Sequence, residues 1–140
     1  MSVDRHNSEH YNDPTAYAAL KTVVREEQAN YPKVYVCSAY AGDTVRNTDR
    51  AIRYARFVFT KGKHPLVPHL YYPLFLDDND PAQRDLGCSF ALEWLSRCSE
   101  CWVFGEKFSA GMLQELEIAD RKEIPVRYFD TRCNERTVLL

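Results

Sequence analysis

The chain of 140 residues is long enough for one domain with a substantial apolar core. Its 18 basic and 20 acidic residues nearly balance, which argues against the basic footprint of a nucleic-acid-binding protein. No apolar run approaches the roughly 20 residues that cross a bilayer, and the polar first residues contain no signal-peptide core. We therefore expect a cytoplasmic protein with no nucleic-acid partner and no membrane partner.

The cysteines indicate neither a disulfide framework nor a metal site. They are odd in number and irregularly spaced: Cys37, Cys88, Cys98, Cys101 and Cys133. Cys98 and Cys101 form one CxxC, but a zinc site takes about four ligands and no second pair supports it. We interpret these thiols as packing residues of the core or its boundary. We expect neither a metal nor a cofactor.

Residues 1–31 are predicted to be a polar arm followed by a helix. Asp13 suits the N-cap and Pro14 suits the first helical position. The helix should end near Asn30, because the residue before Pro32 is biased away from helical backbone. Its apolar stripe is modest.

The next stretch predicts a strand, a small-residue loop and a helix. Lys33–Ser38 is nearly all apolar, as a central parallel strand should be. The helix spans Arg46–Lys61 and Gly62 ends it. A loop that leads into a helix N-terminus is a natural anion site, although any βαβ unit has one and this loop lacks GxGxxG. The inward face of the helix is expected to carry Ile52, Ala55, Val58 and Phe59.

Three more strands and two more helices complete the pattern. The second strand is predicted at His64–His69, and a long loop covers Leu70–Asp80. A helix over Gln83–Cys98 follows, and then a buried third strand over Cys101–Gly105. After one more helix, Ile124–Phe129 is the fourth strand. The apolar face of the long middle helix is expected to carry Leu86, Phe90, Leu92, Trp94 and Leu95.

The acidic end of the long loop has two interpretations. Asp80 is the expected N-cap of the following helix and Pro81 its first residue, which removes Asp80 from any chemistry. Asp77 and Asp78 are then either a solvated loop or ligand contacts. His69 is either a structural histidine or a side chain that faces a cleft.

A helix with a regular four-residue spacing follows the third strand. Gly111, Glu115 and Ala119 share one side of it, and Leu113 and Leu116 are expected inward with Ala119. Glu115 lies one turn into this helix, just past the C-terminal end of a strand, where open α/β sheets bind their ligands. An ordinary surface glutamate is the alternative, since Glu is common in first turns.

Helices and strands alternate along residues 32–130, which we take as one domain before a tail at residues 131–140. Alternation predicts an α/β Rossmann-like three-layer sandwich, with a parallel sheet of four or five strands and helices on both faces. We expect the strand order 2-1-3-4. The switch point then lies between strands 1 and 3, so the loop after Ser38 faces the turn before Glu115.

These two facing stretches resemble the nucleoside 2-deoxyribosyltransferase-like superfamily, over about Lys33–Phe129. The resemblance lies in the strand Val34–Ser38 with its loop, and in the pattern Ser-x-Gly-x-x-x-Glu-x-x-x-Ala that ends at Ala119. Gly42–Asn47 and Leu76–Pro81 resemble a small bacterial and phage branch. The superfamily includes the transferases and the deoxynucleoside-monophosphate N-glycosidases.

The resemblance implies a role for each matching residue. Glu115 would be the nucleophile that attacks the anomeric carbon, because an oxocarbenium-like transition state needs a nearby carboxylate. Tyr35 would orient that carboxylate through its hydroxyl group, at hydrogen-bonding distance. Contacts with a phosphate or nucleotide are implied at Ser38, Ala39, Tyr40, Gly42, Ser109 and Gly111.

One position departs from the pattern of the enzymes. They carry an Asp at the start of the helix before the third strand, where it acts on the base or as a proton donor. Ala91 matches that position here, and Asp85, nearly two turns earlier, is a further candidate ligand contact. The resemblance thus leaves three functions open: an N-glycosidic hydrolase or transferase for nucleotides, a nucleotide or nucleotide-signal binding module without turnover, and a structural protein.

The resemblance also implies a homodimer or a higher homo-oligomer, because members of the superfamily often complete one another's sites. The aromatic residues of the long loop are candidates for such an interface, with core packing as the alternative. They are Tyr71, Tyr72 and Phe75.

Overall fold

The structure, a computed structural model, describes residues 15, 16, 18, 19 and 31–137. The chain divides into two compact units, residues 1–31 and residues 32–140. In the first unit the four described residues of the predicted helix are helical. The rest of that helix lies outside the described residues, as does the apolar end of the tail.

The second unit is an α/β fold with three helices and five strands among its described residues. In chain order these are β1 Lys33–Cys37, α1 Thr44–Thr60, β2 His64–Leu66, α2 Pro81–Leu95, β3 Glu100–Phe104, α3 Ala110–Arg121, β4 Val126–Phe129 and β5 Glu135–Arg136. Two 3-10 turns, Pro68–Leu70 and Tyr72–Leu74, occupy the long connection before α2. Within the part of the chain that the structure describes, no helix is long and apolar enough to cross a membrane.

The strand order is β2-β1-β3-β4-β5. The first four strands are parallel, so the predicted order 2-1-3-4 is confirmed. The fifth strand pairs antiparallel with β4, with Tyr128 opposite Arg136, and it lies in the segment predicted to be a tail. Two residues are too few to show the alternation that marks a strand, so β5 has no periodic signal in the sequence.

The sheet separates two apolar layers, because successive side chains of a strand point to opposite faces. On one face, Tyr35 and Cys37 pack with Leu95 of α2 and Met112 of α3. The other face packs on α1 through Val34, Val36, Tyr54, Val58, Trp102, Phe104 and Phe129. The predicted three-layer sandwich is confirmed.

The predicted inward face of α1 is partly wrong. Ile52 and Phe59 are more than half exposed, and the buried residues are Ala51, Tyr54 and Val58. The helix is rotated so that the Tyr54 ring stacks on Phe104, with their centroids 4.3 Å apart. A stacked aromatic pair buries more apolar area than Ile52 does, and it therefore sets the rotation.

The inward face of α3 also differs from the prediction. Leu113 is more than half exposed, and Met112, Glu115 and Ala119 form the buried row. A carboxylate therefore occupies a position that periodicity assigns to an apolar side chain. Such a buried charge is costly unless it has a function or a partner.

Helix α2 contributes one fully buried side chain, Leu95, and ends there instead of at Cys98. Its predicted apolar face is largely outside the core: Leu86, Phe90 and Trp94 are each more than a third exposed. Tyr71 and Phe75 are more than half exposed, so core packing is wrong for these two rings. The homo-oligomer interface at this surface stays a prediction.

The start of α2 confirms Asp80 as its N-cap. Asp80 Oδ1 accepts a hydrogen bond from the backbone N–H of Ala82 at 3.0 Å. Gln83 reaches back to the preceding loop, where its Oε1 accepts the backbone N–H of Asp77 at 2.8 Å. These bonds fix the entry into α2.

Candidate active site

Glu115 is held by the way α3 begins. Ser109 Oγ accepts a hydrogen bond from the Met112 N–H at 3.2 Å and caps the helix. Glu115 therefore lies about one and a half turns into α3, and only 7% of it is exposed. Gly111 is not required here for a close approach of the backbone, because a Cβ at this position would meet Ser109 Oγ at an ordinary 3.9 Å.

Two side chains of β1 reach the Glu115 carboxylate. The Cys37 thiol lies 3.8 Å from Oε1, and the Tyr35 hydroxyl lowers the pKa of Glu115 by hydrogen bonding. Oε2 has no hydrogen-bond partner among the described residues. Oε1 thus has the Cys37 thiol as a donor, whereas Oε2 has no donor in the described part of the chain.

The pKa values of this cluster follow from burial. Burial raises the pKa of Glu115 to about 7, against the hydrogen bonds from Tyr35 and Cys37, which lower it. The pKa of Tyr35 is well above its usual value because of burial and the nearby Glu115 charge. That of Cys37 is also well raised, by hydrogen bonding with Cys101 and by burial. Both donors keep their protons, whereas Glu115 is close to half ionised at neutral pH.

Glu115 lines a cavity of about 140 Å³, which we call the first cavity. It lies at the C-terminal end of β1, between α2, α3 and the aromatic turns, where the strand order reverses. Its walls are mostly apolar, with a few polar groups. The sequence-predicted site residues that line it are Tyr35, Tyr40, His69, Asp78, Gly111 and Glu115.

The family was identified by comparison with known proteins. A family model described as a domain of unknown function, DUF7768, matches residues 32–129. The chain belongs to this family. Among solved structures, the 2-deoxyribosyltransferase of Bacillus psychrosaccharolyticus matches with a TM-score of 0.61, over 76% of this chain and 77% of that one.

The sequence identity to that transferase is 14%, so the match establishes a shared fold and nothing finer. That protein is described as a biocatalyst for the synthesis of antiviral and antitumoral nucleosides. No curated protein sequence matches this DUF7768 chain. The structural match to the transferase confirms the fold that the sequence resemblance implies.

His69 satisfies both of its predicted alternatives. Its Nε2 lies 2.9 Å from the backbone oxygen of Ser38, and its ring stacks on Tyr40 at 5.0 Å. Since a carbonyl oxygen only accepts, Nε2 carries the proton, and Nδ1 is bare in the neutral ring. Burial lowers the pKa of His69 and so favours that neutral ring. The side chain orders the loop after β1 and also lines the first cavity.

The other predicted contacts do not share this cavity. Asp77, Asp85, Gly42 and Ser109 are exposed and lie outside its walls. Ser38 and Ala39 line a different cavity of about 350 Å³, which we call the second cavity. The residues predicted to bind phosphate are thus divided between two sites and the surface.

Several residues of the first cavity were missed by sequence reasoning. Arg84, Cys88 and Ala91 project from one face of α2, and Gln83 and Gln114 add amide groups. The spacing of the α2 residues by four and three was a usable signal, because positions so spaced share a helix face. Among the described residues, no group of three His, Cys, Asp or Glu side chains is placed to bind a metal ion.

Proposed function

We propose that this protein breaks or transfers the N-glycosidic bond of a nucleoside or nucleotide, with Glu115 as the nucleophile and Tyr35 orienting it. One observation supports the proposal most strongly. Glu115, a buried residue whose Oε2 has no hydrogen-bond partner among the described residues, lines an apolar cavity at the switch point of the sheet. A structural role gives no reason to bury an unpaired carboxylate there.

The chemistry follows from the two carboxylate oxygens. Oε2 attacks the anomeric carbon as the bond between that carbon and the base nitrogen breaks, and the electron pair of that bond leaves with the base. The sugar is then bonded to Glu115. Water, or the nitrogen of a second base, breaks that ester and regenerates the carboxylate. Hydrogen bonds from Tyr35 and Cys37 hold the carboxylate in position through both steps.

The composition of the first cavity suits such a substrate. Its largely apolar and aromatic wall suits the flat faces of a base. The amide of Gln114 on α3 and the guanidinium of Arg84 on α2 also line the cavity and supply hydrogen-bonding groups. The shared fold with a 2-deoxyribosyltransferase supports the same class of substrate.

A second candidate is a binding module that holds a nucleotide without turnover. Ala91 lines the first cavity, and its methyl group has no proton to give a departing base. Departure of an unprotonated base is slow, and general acid catalysis typically contributes about 10²- to 10⁴-fold. The presence of Ala91 is the specific observation in favour of this alternative.

The test is release of free base from a panel of nucleosides and nucleoside 5′-monophosphates, followed by chromatography. Glu115→Gln should lower the rate by about 10³-fold or more, since an amide is a poor nucleophile. The matched control is Glu117→Gln, on the exposed side of the same helix, where Glu117 pairs with Arg121 at 2.7 Å. That variant should keep the wild-type rate. Tight binding with no release by the wild-type protein would support the binding module instead.

A further inference from the structure

The second cavity contains a buried hydroxyl group without a partner. Ser38 follows β1 directly, and alternation along the strand puts its side chain on the same face as Val34 and Val36, toward α1. Only 3% of Ser38 is exposed, and its Oγ has no hydrogen-bond partner among the described residues. A buried polar group of this kind calls for a ligand or another explanation.

Two basic side chains line the same cavity as Ser38. Arg50 of α1 and Lys107, in the loop after β3, both line the second cavity. Neither forms an ion pair with any residue that the structure describes. Glu106 is the acidic residue of the cavity wall, so the wall carries one net positive charge.

The cavity is also organised by the loop between β1 and α1. The side-chain amide of Asn47, another wall residue, donates to the backbone oxygens of Tyr40 at 3.0 Å and Ala41 at 3.2 Å. These bonds hold the loop, and with it Ser38, against the N-terminal turns of α1. The positive end of a helix dipole favours an anion at such a place.

We propose that the second cavity binds a phosphate oxyanion, with Arg50 and Lys107 supplying charge and the Ser38 hydroxyl donating a hydrogen bond to a phosphate oxygen. The planar guanidinium group of Arg50 matches two phosphate oxygens at once. The bound oxygen gives Ser38 Oγ the partner it lacks. This site lies on the α1 side of the sheet, whereas Glu115 lies on the other side. Phosphate binding at this site does not depend on turnover at Glu115.

Ser38 connects the two cavities. Its hydroxyl belongs to the second cavity, while its backbone oxygen accepts the hydrogen bond from His69, a wall residue of the first. An anion that fixes Ser38 therefore also fixes one wall of the first cavity. The phosphate comes either from free inorganic phosphate or from the phosphate group of a nucleotide, and the experiment separates these sources.

The experiment is calorimetric titration of the protein with inorganic phosphate, and separately with a nucleoside 5′-monophosphate. Arg50→Gln and Lys107→Gln should each weaken the affinity for phosphate by about tenfold, and Ser38→Ala should weaken it by a smaller factor. The matched control is Arg53→Gln, an exposed residue of α1 outside the cavity wall. That control should keep wild-type affinity.

Two results distinguish the sources, and others overturn the proposal. Loss of affinity for inorganic phosphate alone identifies a free-phosphate site, and equal loss for the monophosphate means that the nucleotide's phosphate occupies it. No phosphate binding by the wild-type protein contradicts the proposal. So does binding that survives both the Arg50 and the Lys107 substitution, or binding lost only in Ser109→Ala, which would place the anion at the start of α3.

Discussion

The thiol of Cys37 lies 3.8 Å from Oε1 of Glu115, a residue 78 positions later in the chain. Cys37 is on β1 and Glu115 is on α3. The fold brings these residues together because α3 follows β3, the strand next to β1 in the sheet. The thiol is a weak donor that stays protonated, since its own pKa is well raised. It therefore stabilises the charged form of Glu115 and, as a neutral thiol, does not act as a competing nucleophile.

Replacing Cys37 should change the ionisation of Glu115. In Cys37→Ala the carboxylate loses one of the two hydrogen bonds that lower its pKa, so that pKa should rise above about 7. Carboxyl-carbon NMR of the titrating glutamate measures the shift directly. Cys98→Ala is the control, because Cys98 has no role in the pKa of Glu115. An unchanged Glu115 pKa in Cys37→Ala would remove the thiol from the site.

Glu115→Gln should stabilise the protein at neutral pH. The folded-state pKa of about 7 exceeds the ordinary 4.5, so between these values the folded state binds more protons than the unfolded state. Wild-type stability therefore falls as pH rises from 4.5 to 7, by at most on the order of 3 kcal/mol. Urea unfolding at pH 5 and pH 8 measures this loss, and Glu115→Gln should lack it. The same loss in the variant would mean that another group is responsible.

The rate of base release should follow the ionisation of the nucleophile. Because the reacting form of Glu115 is the carboxylate and its pKa is about 7, the rate should increase between pH 6 and pH 8 and then level off. Initial rates across this range, at substrate concentrations well below KM, give the profile, because kcat/KM follows the pKa of the free enzyme. A rate that already levels off near pH 5 would indicate that the reacting group is not a buried carboxylate.

Ala91→Asp should increase turnover if the proton donor is the missing component. The new carboxyl group would line the first cavity with Glu115, where general acid catalysis typically contributes about 10²- to 10⁴-fold. We expect at least a tenfold increase in base release. Ala91→Asn, of similar shape but without an acidic proton, is the control. Equal rates in both variants and the wild type would show that protonation does not limit the reaction.

Asp80→Ala should weaken the start of α2 and one edge of the first cavity. Loss of the hydrogen bond to the Ala82 N–H costs about 1 kcal/mol, as for other N-caps. Thermal unfolding measures the change. Asp85→Ala, exposed within the same helix, should stay within about 0.5 kcal/mol of wild type. Equal effects of the two substitutions would mean that the cap does not stabilise the helix.

The sheet was predictable because strands and helices alternate and each strand is a short apolar run. The apolar run at Val34 and its neighbours is typical of a central strand buried on both faces, and the order expected for the four strands is the observed one. The rotation of helices was less predictable. Periodicity placed Ile52 inward, but stacking of Tyr54 on Phe104 decided the burial of α1.

The sequence predicted the candidate site only at positions that regular secondary structure places, such as the first turns of a helix after a strand. The position of Glu115 after a strand and a small-residue turn identified its location at the switch point. Its contact with Cys37 was not visible, because it joins segments far apart in the chain. The division of Ser38 and Tyr40 between two cavities was also hidden, since residues of an irregular loop have no periodic signal.

The central claim is that Glu115 forms a covalent bond to the sugar, and trapping that intermediate tests it most directly. A 2′-fluoro-2′-deoxynucleoside slows both steps, because fluorine destabilises the positive charge of the transition state. Intact-protein mass spectrometry should show one added sugar in the wild-type protein and in Glu117→Gln, but none in Glu115→Gln. Peptide sequencing should place the adduct on Glu115. An adduct on another residue, or base release that persists in Glu115→Gln, would contradict the account.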